Sequence, residues 1–347
     1  MATERLVSPQ QQTRDEPEAV GNALRPARIS EYVGQRELIE RLAITITAVR
    51  QRKEPMEHVL LHGPPGLGKT TLAHVIGAEM GARVYVTSGP ALARPTDLVS
   101  ALTRLEHGDI LFIDEIHRLP VAVEEFVYPA MEDFRIDVPV DSGLHARTVQ
   151  IALKPFTLIG ATTRAGLLSA PMRSRFGIAH HLKYYAEEEL LAILKRSAGL
   201  LGVEGDAGAL GTIAKRSRGT PRIANRLLRR VRDYAQVKGD GAVRGRAVDE
   251  ALALEGVDAL GLDELDRAYL RAISRVFGGG PVGVEACAAT MNEDAGTLED
   301  VVEPYLLQTG LLARTRRGRM ITKAAAAHLG LPEPAHAPDG DAGLFEG

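Results

Sequence analysis

The chain has 347 residues, a formal net charge of −3, one cysteine (Cys287) and no tryptophan. That length supports two or three domains with real cores, and the near-neutral charge excludes a global polycation, so any nucleic-acid surface must be local. A lone cysteine excludes an internal disulfide framework and fits a reducing, cytoplasmic compartment, and no apolar run approaches a membrane span.

Residues 1–19 are charged and rich in Gln, with no hydrophobic period, as in a segment without a packed core. Residues 58–61 then read as a short buried strand, and 71–80 as a helix closed by Gly81. Between them lies Gly63-Pro64-Pro65-Gly66-Leu67-Gly68-Lys69-Thr70, a phosphate-binding loop in its proper strand–loop–helix setting. Its glycines, Gly66 and Gly68 among them, let backbone N–H groups turn inward around an anionic phosphate chain. Lys69 can reach the outer phosphates as a point charge, and the Thr70 hydroxyl can ligate Mg²⁺. The positive end of the following helix adds to the attraction. The chain therefore binds a nucleoside triphosphate.

Further apolar runs at 84–87, 110–113 and 157–161, separated by helical patterns at 96–105 and 121–131, predict an α/β domain with a parallel sheet. Asp114 and Glu115 directly follow the 110–113 run, and ligands of open α/β sheets collect at the carboxyl ends of strands. Asp114 suits a ligand of Mg²⁺ through water, and Glu115 a base that orients the attacking water. Thr162-Thr163-Arg164 follow the 157–161 run; a hydroxyl there can meet the γ-phosphate or simply cap the strand end. Arg173 and Arg175 can reach a neighbouring subunit's phosphate or stand as solvated surface cations. Thr220 as N-cap and Pro221 as first residue open a helix with an apolar stripe of Ile223, Leu227, Leu228, Val231 and Ala235. Arg222, in its first turn, opposes the helix dipole unless an anion lies near, so it is placed to grip a phosphate.

Two alternating runs, 135–140 and 148–153, connected from Asp141-Ser142-Gly143, read as a β-hairpin inserted in the nucleotide domain. After about residue 257, helical patterns at 263–277, 283–291 and 298–307 precede two short strands around Arg316-Arg317-Gly318, which predicts a winged-helix domain. Residues 285–303 carry six acids and no Lys or Arg, whereas 304–332 carry five cations and no acid. An acidic third helix is repelled by phosphates, so the wing is the attractive surface, contacting backbone without sequence choice. A solvated basic turn is the alternative.

Together these motifs resemble the AAA+ ATPases and, within them, the RuvB family of bacterial motors that drive branch migration of Holliday junctions. The resemblance rests on Glu31-Tyr32-Val33-Gly34-Gln35, the phosphate loop, residues 111–119 with their Ile116-His117-Arg118 extension, residues 128–133, 160–166 and 218–230. It implies an AAA+ P-loop NTPase domain at 20–185 with the hairpin at about 135–153, a helical lid at 186–256, a winged-helix head at 257–332 and a flexible tail at 333–347. It further implies that Thr163 takes the sensor-1 role, Arg175 that of the arginine finger acting in trans, and Arg222 the sensor-2 role. Thr71 belongs with the phosphate loop, Leu24, Arg25 and Tyr185 line the adenine and ribose side, and Glu132, Asp133 and Phe134 lie near nucleotide. Ser174 stands where an acid is usual. On the hairpin, exposed Val149 and Ile151 would contact the partner RuvA; on the wing, Arg314 and Arg319, then Arg317, would contact DNA. The function implied is an ATP- and Mg²⁺-dependent motor, a ring of six subunits that pulls duplex DNA in recombination and repair, with RuvC joining the resolving complex. A clamp-loader-like or initiator-like AAA+ switch ATPase is the alternative.

Overall fold

Short, unbroken apolar runs with β-branched residues favour strands buried on both faces, and here they assemble into one parallel sheet. In the computed structural model, which describes residues 23–139 and 148–334, the chain divides into two units, Met1–Tyr185 and Ala186–Gly347. The first unit contains β1 (Val59–His62), β2 (Val84–Ser88), β3 (Ile110–Asp114), β4 (Arg135–Pro139), β5 (Thr148–Ala152), β6 (Thr157–Thr162) and β7 (Ile178–His181). Its helices are α1 (Arg36–Arg52), α2 (Lys69–Met80), α3 (Pro95–Leu102), α4 (Val121–Glu132) and α5 (Ala170–Ser174).

The sheet order is β2-β3-β6-β1-β7, with every pair parallel. β6 lies at its centre and is buried along its whole length. Gly160 within β6 is required by close packing: a Cβ there would sit 2.9 Å from Ile116 and 3.0 Å from Phe176. Because β6 is flanked by β3 and β1, the ends of three functional strands, Asp114, Thr162 and His62, stand side by side. The Gly63 N–H even donates to the Thr162 carbonyl at 3.2 Å. β7 has no counterpart among the expected strands. It is a four-residue edge strand whose burial alternates, too short to stand out as a period.

β4 and β5 form the expected hairpin, with Ile136 opposite Ile151 and Val138 opposite Val149; its connection at Asp141-Ser142-Gly143 lies outside the described residues. Ile136 is fully buried in the core, and Val138 packs against it. Ile151, directly across from Ile136, is therefore half-buried rather than exposed, which corrects the sequence expectation. Val149 is 50% exposed. Residues 1–19 and most of the 333–347 tail also lie outside the described residues.

The second unit begins with four helices, α6 (Glu187–Leu200), α7 (Ala207–Lys215), α8 (Pro221–Lys238) and α9 (Gly245–Leu254). Pro221 is the first residue of α8, but Thr220 does not cap it; its hydroxyl donates to the Ser217 carbonyl at 3.0 Å instead. Ala224, Leu227, Leu228, Val231 and Ala235 are the buried stripe, with Ile223 only half-buried. Next come α10 (Glu264–Phe277), α11 (Val284–Met291), a π turn at Leu298–Val302 leading into α12 (Glu303–Gln308), the antiparallel pair β8 (Leu312–Thr315) and β9 (Gly318–Ile321), and α13 (Lys323–Leu329). Tyr269, Ile273, Cys287, Leu298, Leu306 and Ile321 fill this second core. The three helices and their two-stranded ribbon match the winged-helix pattern.

Candidate functional site

The phosphate loop is shaped by backbone conformations that disfavour any side chain. Gly63, Gly66 and Gly68 have φ of +134°, +81° and +96°. At Gly63 a Cβ would also approach the Leu182 carbonyl oxygen to 2.5 Å. Lys69, the first residue of α2, is buried, and its Nζ donates to the carbonyls of Gly63 at 2.7 Å and Pro64 at 2.8 Å. Those two carbonyls are neutral partners that phosphate oxygens can replace at a gain in charge pairing. Thr70 and Thr71 follow it, half-buried, in the first turn of α2.

Tyr185 joins this loop from the far end of the unit. Its hydroxyl lies 3.1 Å from the Tyr32 hydroxyl and 3.3 Å from the Leu67 carbonyl. Tyr32 Oη would sit 3.1 Å from a Cβ placed on Gly68, and burial pushes the Tyr32 phenol up from its ordinary range. Tyr32 is a site residue that sequence reasoning did not single out, although it belongs to the 31–35 stretch. Gln35 holds the same corner: its Nε2 donates to the Lys183 carbonyl at 2.5 Å, and its Oε1 accepts from the Lys183 N–H at 3.2 Å. Leu24 is buried, and Arg25 lies close enough to His74 on α2 to add to the effect of burial in lowering that imidazole's pKa.

Asp114 ends β3 and accepts the Glu115 N–H at 3.0 Å. Glu115 adopts the left-handed region with φ +47°, and its carboxylate pairs with Arg118 at 2.9 Å. His117 Nδ1 lies 2.9 Å from Thr162 Oγ1, which also accepts the Arg164 N–H at 3.0 Å. The Thr162 hydroxyl is thus held between the His117 ring and the Arg164 N–H, and the His117 tautomer sets which way the first of these bonds runs. With Thr162 buried and engaged, Thr163 beside it is the half-buried hydroxyl at this strand end.

The corner between α4 and α5 gathers another group. Arg175 stacks on the Tyr128 ring at 4.2 Å, pairs with Glu132 at 3.2 Å and donates to the Pro171 carbonyl at 2.8 Å. Arg173 donates to the Ala165 carbonyl at 2.6 Å, and the Ser174 hydroxyl to the Pro171 carbonyl at 3.0 Å. Asp133 pairs with Arg135 at 3.2 Å. Phe134, at φ +50°, sets its ring edge-on to His58 and Phe156 and so belongs partly to the core. Arg222 stands exposed in the first turn of α8, in the second unit.

On the wing the arginines separate. Arg319 is 8% exposed, with Nε 2.8 Å from Glu303 and a terminal nitrogen 2.7 Å from Glu299. Tyr269 donates to the same Glu303 at 2.7 Å. Arg319 is thus a strut between β9 and the 298–308 helix, its charge neutralised inside the domain, which corrects the expectation that it meets phosphate. Arg314 is more than half exposed and 3.7 Å from Glu299. Arg316 and Arg317 are exposed at the turn, and among the described residues no ion pair engages them. Arg316 is an exposed wing cation that sequence reasoning did not single out, although it lies beside Arg317.

Family models match nearly all of the described chain. That of the Holliday junction DNA helicase RuvB P-loop domain covers residues 24–182, that of the RuvB AAA lid domain 185–258, and that of the RuvB C-terminal winged helix domain 259–330. The chain belongs to the RuvB family. It is 57% identical over 309 residues to the Holliday junction branch migration complex subunit RuvB of Desulfosudis oleivorans, spanning 89% of this chain and 90% of that protein. Among solved structures, the Thermotoga maritima RuvB Holliday junction branch migration motor is 50% identical, with a TM-score of 0.83 over 90% of this chain and 100% of that one. A point variant of the same Thermotoga protein gives a TM-score of 0.84 at 50% identity, over 89% of this chain and 100% of that one. RuvB membership makes the chain a nucleotide-binding P-loop ATPase of the AAA+ type with a winged-helix DNA-binding domain. No helix among the described residues is long and apolar enough to cross a membrane.

Proposed function

We propose that this RuvB-family chain hydrolyses ATP to pull duplex DNA through Holliday junctions. The observation that carries the reading is the adjacency of the β1, β3 and β6 ends, where Asp114 and Thr162-Thr163 stand beside the Gly63 carbonyl that Lys69 binds, in a chain that also carries a winged-helix domain with exposed arginines. The triphosphate occupies the Gly63–Thr70 loop, where Lys69 exchanges two carbonyl partners for phosphate oxygens. Among the described residues no cluster of three His, Cys, Asp or Glu could hold a metal on its own. The Thr70 hydroxyl and the Asp114 carboxylate would hold Mg²⁺, which would neutralise phosphate charge there. Glu115 exchanges Arg118 for the attacking water and orients it, and Thr163 reads the γ-phosphate. Arg175 leaves Glu132 for the γ-phosphate of a neighbouring subunit, where developing charge holds it more strongly. Leu24, Arg25 and Tyr185 line the base side, Thr71 supports the loop, and Arg222 brings the lid onto the phosphates.

The wing contacts duplex backbone through Arg314, Arg316 and Arg317. The hairpin, led by Val149 with Ile151 beneath it, takes RuvA. The assembly is a cytoplasmic ring of six subunits, with RuvC joining it for resolution, built from a P-loop domain at 20–185, a lid at 186–256 and a head at 257–332. Glu115→Gln tests the chemistry: nucleotide binding should persist while hydrolysis and movement of a synthetic four-way junction, assayed with RuvA and ATP, both disappear. Undiminished turnover in that variant, or an unmodified protein that leaves the junction unmoved, would refute the reading.

A further inference from the structure

The second unit contains a buried arginine that the nucleotide and DNA sites do not use. Arg218 lies in the turn before α8, in the left-handed region at φ +52°, and is 7% exposed. Its Nε donates to the Gly261 carbonyl at 2.7 Å, and a terminal nitrogen pairs with Asp263 at 2.8 Å and Asp266 at 2.5 Å. The guanidinium carbon lies 5.5 Å from the centre of the Tyr305 ring. These partners come from the connection between lid and winged helix, from the start of α10 and from α12.

The same connection is held from the winged-helix side. Tyr305 donates to the Leu260 carbonyl at 2.6 Å, and Asp258 accepts the N–H groups of Leu260 and Leu262 at 2.9 Å each. The other Asp258 oxygen lies 2.8 Å from His328 Nε2 on α13. Gly261, at φ +79°, presses so closely on the lid that a Cβ would sit 2.7 Å from the Arg216 carbonyl oxygen. A flexible tether would show none of this.

We infer that Arg218 is a positioning residue that fixes α10 of the winged helix to the start of α8, so that lid movement at Arg222 is delivered to the wing. This rests on the function proposed above. The geometry suits rigid transmission, because a guanidinium is a planar fork whose donors cannot swivel independently. Asp263 also caps α10, accepting the N–H groups of Leu265 and Asp266 at 3.0 and 3.1 Å. The ion pair thus holds a helix end, not merely a side chain. Arg222 follows Arg218 by only four residues, which makes the path within the second unit from Arg222 to the winged helix short.

Arg218→Gly removes the side chain while keeping the left-handed backbone at little cost. Burial already pushes the Asp266 carboxyl up to about 7 with Arg218 present, so without it Asp266 takes a proton rather than standing charged in the interior. In the full chain with RuvA, ATP and a synthetic four-way junction, ATP turnover and duplex affinity should stay within about twofold, while base pairs moved per ATP fall about tenfold, as loss of a typical intersite coupling gives. Arg218→Lys should not rescue that yield, since a point charge cannot serve Gly261 and both carboxylates together. Asp263→Asn, at a more exposed position, should lower the same ratio by a smaller factor, and it decides the question if Arg218→Gly fails to fold. Unchanged yield per ATP in the folded variant, with only a lowered melting temperature, overturns the inference and leaves the motor intact. An unmodified chain that moves no junction strikes the proposed function instead.

Discussion

Glu303→Ala is the sharpest test of how the wing is built. Glu303 is 1% exposed and accepts from both Arg319 and Tyr269. Removing it leaves the buried Arg319 guanidinium with Glu299 alone, a residue about one-third exposed, and strands the Tyr269 hydroxyl. Breaking a buried ion pair from one side costs about 3–5 kcal/mol, because the remaining charge is uncompensated. A domain's entire stability is only about 5–15 kcal/mol, so the winged helix should lose a large part of its margin. Glu303→Met combined with Arg319→Met removes both charges together and should cost far less, roughly within 1–2 kcal/mol of the unmodified chain. Urea unfolding of the full chain, followed by circular dichroism, measures both, and Glu303→Met and Arg319→Met made singly close the double-mutant cycle that isolates the coupling. A loss below about 1 kcal/mol for Glu303→Ala would show that the pair is a surface contact after all. The strut would likewise be refuted if Arg319→Met left stability untouched yet reduced the salt slope of duplex binding by about one unit, since that is the signature of a phosphate contact.

Arg314→Ala and Arg317→Ala should each weaken binding to all duplex sequences alike and flatten the salt slope by about one unit without altering the unfolding midpoint; a sequence-selective loss would contradict backbone contact. His117→Ala removes the imidazole that holds Thr162, so kcat for ATP should fall by about tenfold with KM little changed, because an interaction felt mainly in the transition state is disturbed; a change confined to KM would place His117 in binding instead. Val149→Asp should abolish stimulation by RuvA while basal ATP turnover and stability persist, and stimulation that survives would remove the hairpin from the docking surface. His58, His62, His74 and His180 all lie below the ordinary imidazole range, with burial the largest cause in each. Below the unfolded pKa of about 6.5 the unfolded chain takes up protons that the folded first unit refuses, so its stability should fall as pH drops from about 7.5 to 5.5. Asp266, raised in the second unit, works in the opposite sense, so the fall should steepen in Asp266→Asn; a midpoint that rose on acidification in that variant would contradict the burial of these imidazoles.

The nucleotide site was legible because its parts are short and local. A strand, a glycine turn and a helix start must be contiguous to surround a phosphate, and Asp114-Glu115 must follow a strand. Even so, spacing alone left Thr162 and Thr163 as interchangeable hydroxyls, and only the family resemblance pointed to Thr163. Their division depends on His117, 45 residues away in the chain, which is hydrogen-bonded to the Thr162 hydroxyl. Tyr32 was hidden for the same reason: its partner Tyr185 is 153 residues distant. Ile151 was expected to be exposed from the family resemblance, and its register opposite the buried Ile136 turns it inward.

By itself the sequence determined the triphosphate loop, the acids at the strand end, the inserted hairpin and the basic ribbon, since each follows from residue type at fixed local spacing. Only the tertiary structure decided which cations remain available. Arg314, Arg316, Arg317 and Arg319 are nearly equivalent as letters, yet one is buried against Glu303 and Glu299 while two stand exposed at the turn. Arg218 is likewise an ordinary arginine until Asp263 and Asp266 close on it. Charge acts through space and depends on desolvation, and neither separation nor burial is encoded in the distance between two residues along the chain.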